Sequence, residues 1–146
     1  MTNEIKIKPP AWFWVVSVLA LVWNIMGAMA YLGSVYMTDE TKAEMTTEQL
    51  SLMEAAPAWA TAAFAIAVWG GLLGCVALIL RKKWARPVLM ISLLGILVQM
   101  AHWFFMTNGT ELYDQVQGVI MPLLVIIIGI ALVYLARVAH NRGWIS

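Results

Sequence analysis

Apolar positions fall into four unbroken runs, about residues 11 to 37, 57 to 80, 85 to 106 and 116 to 139, divided by polar stretches. At roughly 1.5 Å per residue each run is long enough to cross a hydrocarbon core about 30 Å thick. None alternates apolar with polar positions, the pattern of a transmembrane β-strand of roughly ten residues. The chain is therefore predicted to be an all-α integral membrane four-helix bundle, one domain over 1–146 with its lipid-facing surface in a bilayer.

A second pattern lies inside the runs. Steps alternating between three and four residues keep to one helix face. In the first run they connect Ser17, Ala20, Asn24, Gly27, Tyr31 and Ser34; in the second, Ala60, Ala63, Ala67, Gly70, Gly74 and Ala77. The third gives Ser92, Gly95, Gln99, His102 and Met106, and the fourth Gly118, Pro122, Val125, Gly129 and Ala136. Stripes of small and polar residues are the seams along which helices pack in lipid, where no hydrophobic force draws them together. A period near 3.5 predicts a left-handed bundle with crossings of about 20°. "SVLALVWN" at 17–24 and "SLLGILVQ" at 92–99 each set a carboxamide seven residues after a serine, so the chain reads as two related hairpins running in parallel. "GGLLG" puts Gly70 and Gly74 at the spacing of a helix-packing or dimerisation contact.

Charge orients this pattern. Lys6 and Lys8 precede the first run, "RKKWAR" joins the second to the third, and Arg137 and Arg142 follow or close the fourth. The other side holds Asp39, Glu40, Glu44, Glu48, Glu54, Glu111 and Asp114, with Lys42 as its one cation. The positive-inside rule then predicts that both termini are cytoplasmic. The formal net charge of +1 gives no reason to expect a nucleic-acid partner. "AMA" at 28–30 imitates a signal-peptide cleavage site, but "YLGSVY" continues the apolar run beyond it, so the first run is read as a retained span. Trp12, Trp14, Trp84 and Trp144 fall at the cytoplasmic boundary, and Trp59, Trp103, Tyr36 and Tyr113 near the outer one, as interfacial anchors do. Trp23 and Trp69 fall near the midplane and are expected to pack against protein. In the first polar stretch, "TTEQ" at 46–49 fits a capping box opening a short surface helix.

Candidate chemistry is sparse. No paired carboxylates, Ser–His pairing, HExxH or CxxC occur within the spans, so the chain is not read as an enzyme and no cofactor or metal is assigned. Cys75 is a lone cysteine inside the second span. Asn24 and Gln99 are midplane amides, able to bond each other, Ser17, Ser92 or a backbone carbonyl, or else to meet a solute. His102 shares the seam of Gln99 and could act as a proton-sensitive gate, with Glu54 the best-placed carboxylate. Trp23, Tyr31 and Trp103 could form aromatic walls on which a sugar or amine stacks. The acidic side is either a cation-attracting mouth or a solvated loop. A bundle of this size is expected to have a packed centre, which places any pathway between protomers of a homo-oligomer or makes it open by rearrangement.

"WFWVVSVLALVWNIMGAMAYL", "PAWATAAFAIAVWGGLLGC", "LRKKWARPV" and "MPLLVIIIGIAL" together resemble a family of small four-span bacterial inner-membrane proteins often given the automatic name "sugar transporter". The resemblance covers nearly the whole chain. It implies a bacterial inner-membrane location and transport of a small polar solute, and it brings no catalytic motif. A non-transporting accessory subunit, packing on another membrane protein through small-residue faces, is the alternative.

Overall fold

The computed structural model describes residues 7–145, all of them helical or in short connections. Lys6, counted above among the basic residues, lies outside that range. Helix α1 (Ala11–Val35) starts directly after Pro9 and Pro10, which lack amide hydrogens and hold the chain extended, with Pro10 at φ −69° and ψ 162°. A short α2 (Asp39–Glu44) and α3 (Thr47–Glu54) cross the acidic end. The capping box of α3 forms as the sequence predicts: Gln49 N–H donates to Thr46 Oγ1 at 3.1 Å, and Thr46 N–H donates to Gln49 Oε1 at 3.3 Å. The remaining amide of Gln49 donates to the Leu112 carbonyl at 3.0 Å, so α3 is tied to α6 (Gly109–Leu112) in the other acidic loop.

Helix α4 (Ala58–Ile79) begins after Pro57, and α5 (Ala85–Ala101) runs on into a π-helical turn at His102–Met106. A second π turn, Val116–Ile120, leads into α7 (Met121–Asn141). The four long apolar helical stretches are thus Ala11–Val35, Ala58–Ile79, Ala85–Met106 and Val116–Asn141, whose bounds match the sequence expectation to about two residues. Helices long and apolar enough to span, with Val15, Leu19, Met29, Leu94 and Ile127 exposed around their outside, make this a small membrane protein in contact with lipid.

The chain order fixes the packing. Helix α4 lies closest to α5, α1 packs on α4, and α7 packs on α5; α1 and α7 are not comparably paired. The seams lie inside these contacts. A Cβ on Gly70 would sit 3.1 Å from Ser92 Cβ, one on Gly74 would overlap Leu89, and one on Gly95 would come within 2.8 Å of the Ala63 carbonyl oxygen. Gly70 and Gly74 of "GGLLG" are therefore spent on α5 within this chain. Ser92 O–H donates across the same interface to the Ala67 carbonyl at 2.6 Å.

The first and last described residues meet the α4–α5 loop at the basic end. Helices α4 and α7 each close with the reciprocal pair of bonds that satisfies a helix's last carbonyls. Arg81 N–H donates to Leu78 O and Lys82 N–H to Ala77 O; Gly143 N–H donates to His140 O and Trp144 N–H to Ala139 O. Gly143 takes the left-handed conformation this needs, at φ 75°, and at the equivalent place Arg81 takes it at φ 59° without being glycine. The Arg81 side chain donates from Nε to the Trp144 carbonyl and from Nη2 to the Ile7 carbonyl, both at 2.8 Å. One guanidinium thereby clamps the first and last described segments to the loop.

Beneath that clamp, side chains from several segments pack together out of solvent. Phe13, Cys75, Leu78, Leu135, Ala136, Trp144 and Ile145 form one buried cluster joining α1, α4, α7 and the C-terminal segment. Trp144, expected at the membrane boundary, is instead 5% exposed and packs edge-on against Phe13 at 5.5 Å. The turn at Gly143 reverses the chain and folds the indole inward. The packed centre expected from sequence is found at this end, and the acidic half of the bundle is built differently.

Candidate functional site

Toward the acidic end residues of all four long helices line a partly open cavity of about 480 Å³. That is within the usual range for small-molecule sites, roughly 300 to 1,000 Å³. It exists because small residues on the seams, including Gly27, Ala67, Gly71 and Gly129, face one another, while α1 and α7 stand apart. Its walls are mostly apolar, with Phe64, Ile96, Met100, Val125 and Leu132 among them. Four uncharged polar side chains, Asn24, Ser92, Gln99 and Gln117, also line it, and no Asp, Glu, Lys or Arg does.

Those polar groups differ in what they have left to offer. Asn24 donates its amide hydrogens to the Ala20 carbonyl at 2.8 Å and towards Cys75 Sγ at 3.4 Å. Its Oδ1 lies against Gly71, where a methyl group would overlap it. The backbone carbonyl alternative raised by the sequence is thus the one realised, within α1 itself, with a thiol as second partner. Ser92 is committed to Ala67. Gln99 and Gln117 make no side-chain hydrogen bond to the described residues, so their amides are the free polar groups of the cavity. Gln99 is half-buried and Gln117 exposed, so a polar group bound to either gains about 0.5–1.5 kcal/mol per hydrogen bond over the solvation it replaces.

Of the six side chains singled out in the sequence, the cavity gathers Trp23, Asn24, Gln99 and Trp103. Tyr31 and His102 are elsewhere. Tyr31 packs edge-on against Phe64 at 5.3 Å and Trp69 at 6.2 Å, closing the α1–α4 interface from the side. His102 packs edge-on against Trp59 at 5.2 Å, and no carboxylate of the described residues bonds it. The cause is the π turn that starts at His102. An extra residue in the turn shifts every following side chain around the helix, so the three-and-four step fails there. Trp103 turns inward in place of Met106, which is 67% exposed.

Trp103 closes the acidic end of the cavity through a bond that the fourth span makes available. Pro122 has no amide hydrogen to give the Gly118 carbonyl, four residues earlier. That oxygen accepts instead from Trp103 Nε1–H at 2.9 Å. The indole lies on Gly109, where any Cβ would collide with it, and against Tyr113 at 5.6 Å, whose phenol burial pushes up from its ordinary pKa. Gln117, inside the second π turn, lines the cavity and was not singled out in the sequence. A glutamine at the start of an apolar run, five residues before a proline, was the available signal. The chain gives no significant match to any protein-family model, curated protein or solved structure.

Proposed function

We propose that the protein is a transport protein of the bacterial inner membrane, with both termini cytoplasmic, that binds a neutral solute with an apolar body and one or two polar groups. The observation that carries this reading is an intramembrane cavity with two uncommitted carboxamides, Gln99 and Gln117, and no charged wall. Ion conduction fits poorly, because an ion there would lose its hydration with only a few amide dipoles in return. A polyhydroxylated sugar is also a weak match, since Asn24 and Ser92 have already spent their donors. The resemblance to the four-span family supports transport as a class and leaves the solute open. The accessory reading is the alternative, with less to draw on because Gly70 and Gly74 pack against α5.

A thermal-stability screen of the detergent-purified protein, followed through its eight tryptophans, tests this. A ligand at about 100 times its dissociation constant stabilises by roughly 2.7 kcal/mol. Neutral amphipathic compounds should raise the melting temperature, and Gln99→Leu should abolish the shift while leaving the ligand-free melt unchanged. Stabilisation by inorganic ions alone, or a shift indifferent to Gln99→Leu and Gln117→Leu, would remove the proposal.

A further inference from the structure

A second concavity lies between α1 and α7 at the basic end, on the far side of the packed cluster from the cavity. It measures about 380 Å³ and is walled by Trp12, Val16, Tyr134, Leu135 and Val138, with Arg142 at its end. From Tyr134 to Arg142 is eight residues, or roughly 12 Å along the helix axis. The groove thus runs from the basic end toward the middle of the membrane, apolar along its length and cationic at its mouth.

Arg142 is held in place. Its guanidinium lies over the Trp144 ring at 5.6 Å, and Trp12 meets the same ring edge-on at 5.4 Å. No counter-ion comes from the described residues, because every described Asp and Glu belongs to the two loops at the opposite end, 39–54 and 111–114. Tyr134 is 67% exposed and makes no side-chain hydrogen bond to the described residues. Amphipathic side chains at this depth reach toward the interface, where ester and glycerol oxygens lie.

We propose that this groove is a binding site for one anionic glycerophospholipid, with its phosphate on Arg142 and one acyl chain running along Val16, Leu135 and Val138 toward Tyr134. Charge complementarity selects this occupant: the groove supplies a guanidinium with no carboxylate partner among the described residues where a phosphate would lie, and an apolar trough where a chain would follow. The site is independent of the solute cavity and stands or falls without it.

Native mass spectrometry of the full chain, exchanged into phosphatidylglycerol or phosphatidylcholine with identical acyl chains, decides the matter. The wild type should retain one phosphatidylglycerol about fivefold more than phosphatidylcholine, the factor that one basic residue contributes near an anionic surface. Arg142→Gln should erase that preference. Arg137→Gln, with the same charge loss on α7 but outside the groove, should keep it. Ala131→Phe, at an exposed groove position, should reduce retention of both lipids with Arg142 intact, which keeps the test valid if Arg142→Gln folds poorly. Equal losses in Arg142→Gln and Arg137→Gln would mean diffuse surface charge only. Equal retention of the two lipids, or a dimer that excludes both, would likewise overturn the proposal.

Discussion

Arg81 combines an unfavourable backbone with a favourable side chain. A left-handed conformation costs a residue with a Cβ roughly 1–2 kcal/mol, and two charge-assisted hydrogen bonds offset it. Arg81→Ala keeps the strain and loses both bonds, whereas Arg81→Gly loses the bonds and relieves the strain. Chemical denaturation should therefore find Arg81→Gly less destabilised than Arg81→Ala by about 1 kcal/mol; equal losses would mean the backbone is not strained there. Trp103 allows a cleaner comparison. Trp103→Phe leaves the Gly118 carbonyl without its donor, at a cost of roughly 1–3 kcal/mol. With Pro122→Ala in place the helix can supply an amide of its own, so the same substitution should cost about 1 kcal/mol less in a double-mutant cycle. Neither arrangement could be read from the sequence. A glycine is the usual mark of a helix end, and "LRKK" has none; the Trp103 bond joins residues fifteen apart through a π turn that hydropathy does not register.

At the scale of elements, the spans were legible because membrane length and apolarity are demanding requirements that few other segments meet. The seams were legible wherever the helices stay α-helical. Ser17, Ala20, Ala63, Ala67, Ser92 and Gly129 are all buried as the stepping predicts, and the stepping breaks at His102, where the helix changes its hydrogen-bond register. Burial by itself says nothing about which buried polar groups find partners: Ser17 Oγ has none among the described residues. The α4–α5 seam can be tested against an open position. Gly95→Ala places a methyl against the Ala63 carbonyl oxygen and the Ala67 nitrogen, backbone atoms that cannot step aside, and should destabilise by about 1–3 kcal/mol. Gly33→Ala meets nothing within 4 Å and should be neutral or stabilising by up to about 1 kcal/mol, from helix propensity. Similar melting temperatures for the two variants would contradict the packing described.

For the whole molecule, charge alone predicts which compartment each end faces, and labelling can check it. In a Cys75→Ser background, which keeps an acceptor for Asn24, a cysteine at Ser51 should react with an impermeant maleimide on intact cells. One at Lys83 should react only after lysis; the reverse pattern would invert the topology. The uneven packing predicts a second result. Spin labels at Ala30 and Met121, on either side of the cavity, should give a broad distance distribution that narrows with ligand, whereas labels at Val16 and Val138 should give a narrow one throughout. Equal widths at both ends would show a uniformly stiff bundle.

The Phe13–Trp144 cluster also has a mechanical meaning. With α1 and α7 linked at one end through the Phe13–Trp144 cluster and standing apart towards the other, the pair is a lever whose fulcrum lies far from the cavity. A tilt of about 5° carries the free end of a helix about 30 Å long through roughly 2.6 Å. An occupant can therefore widen the gap by almost an atom's diameter while the fulcrum scarcely moves. The packed cluster and the cavity are set at opposite ends of the same two helices, so either can be altered with little disturbance to the other.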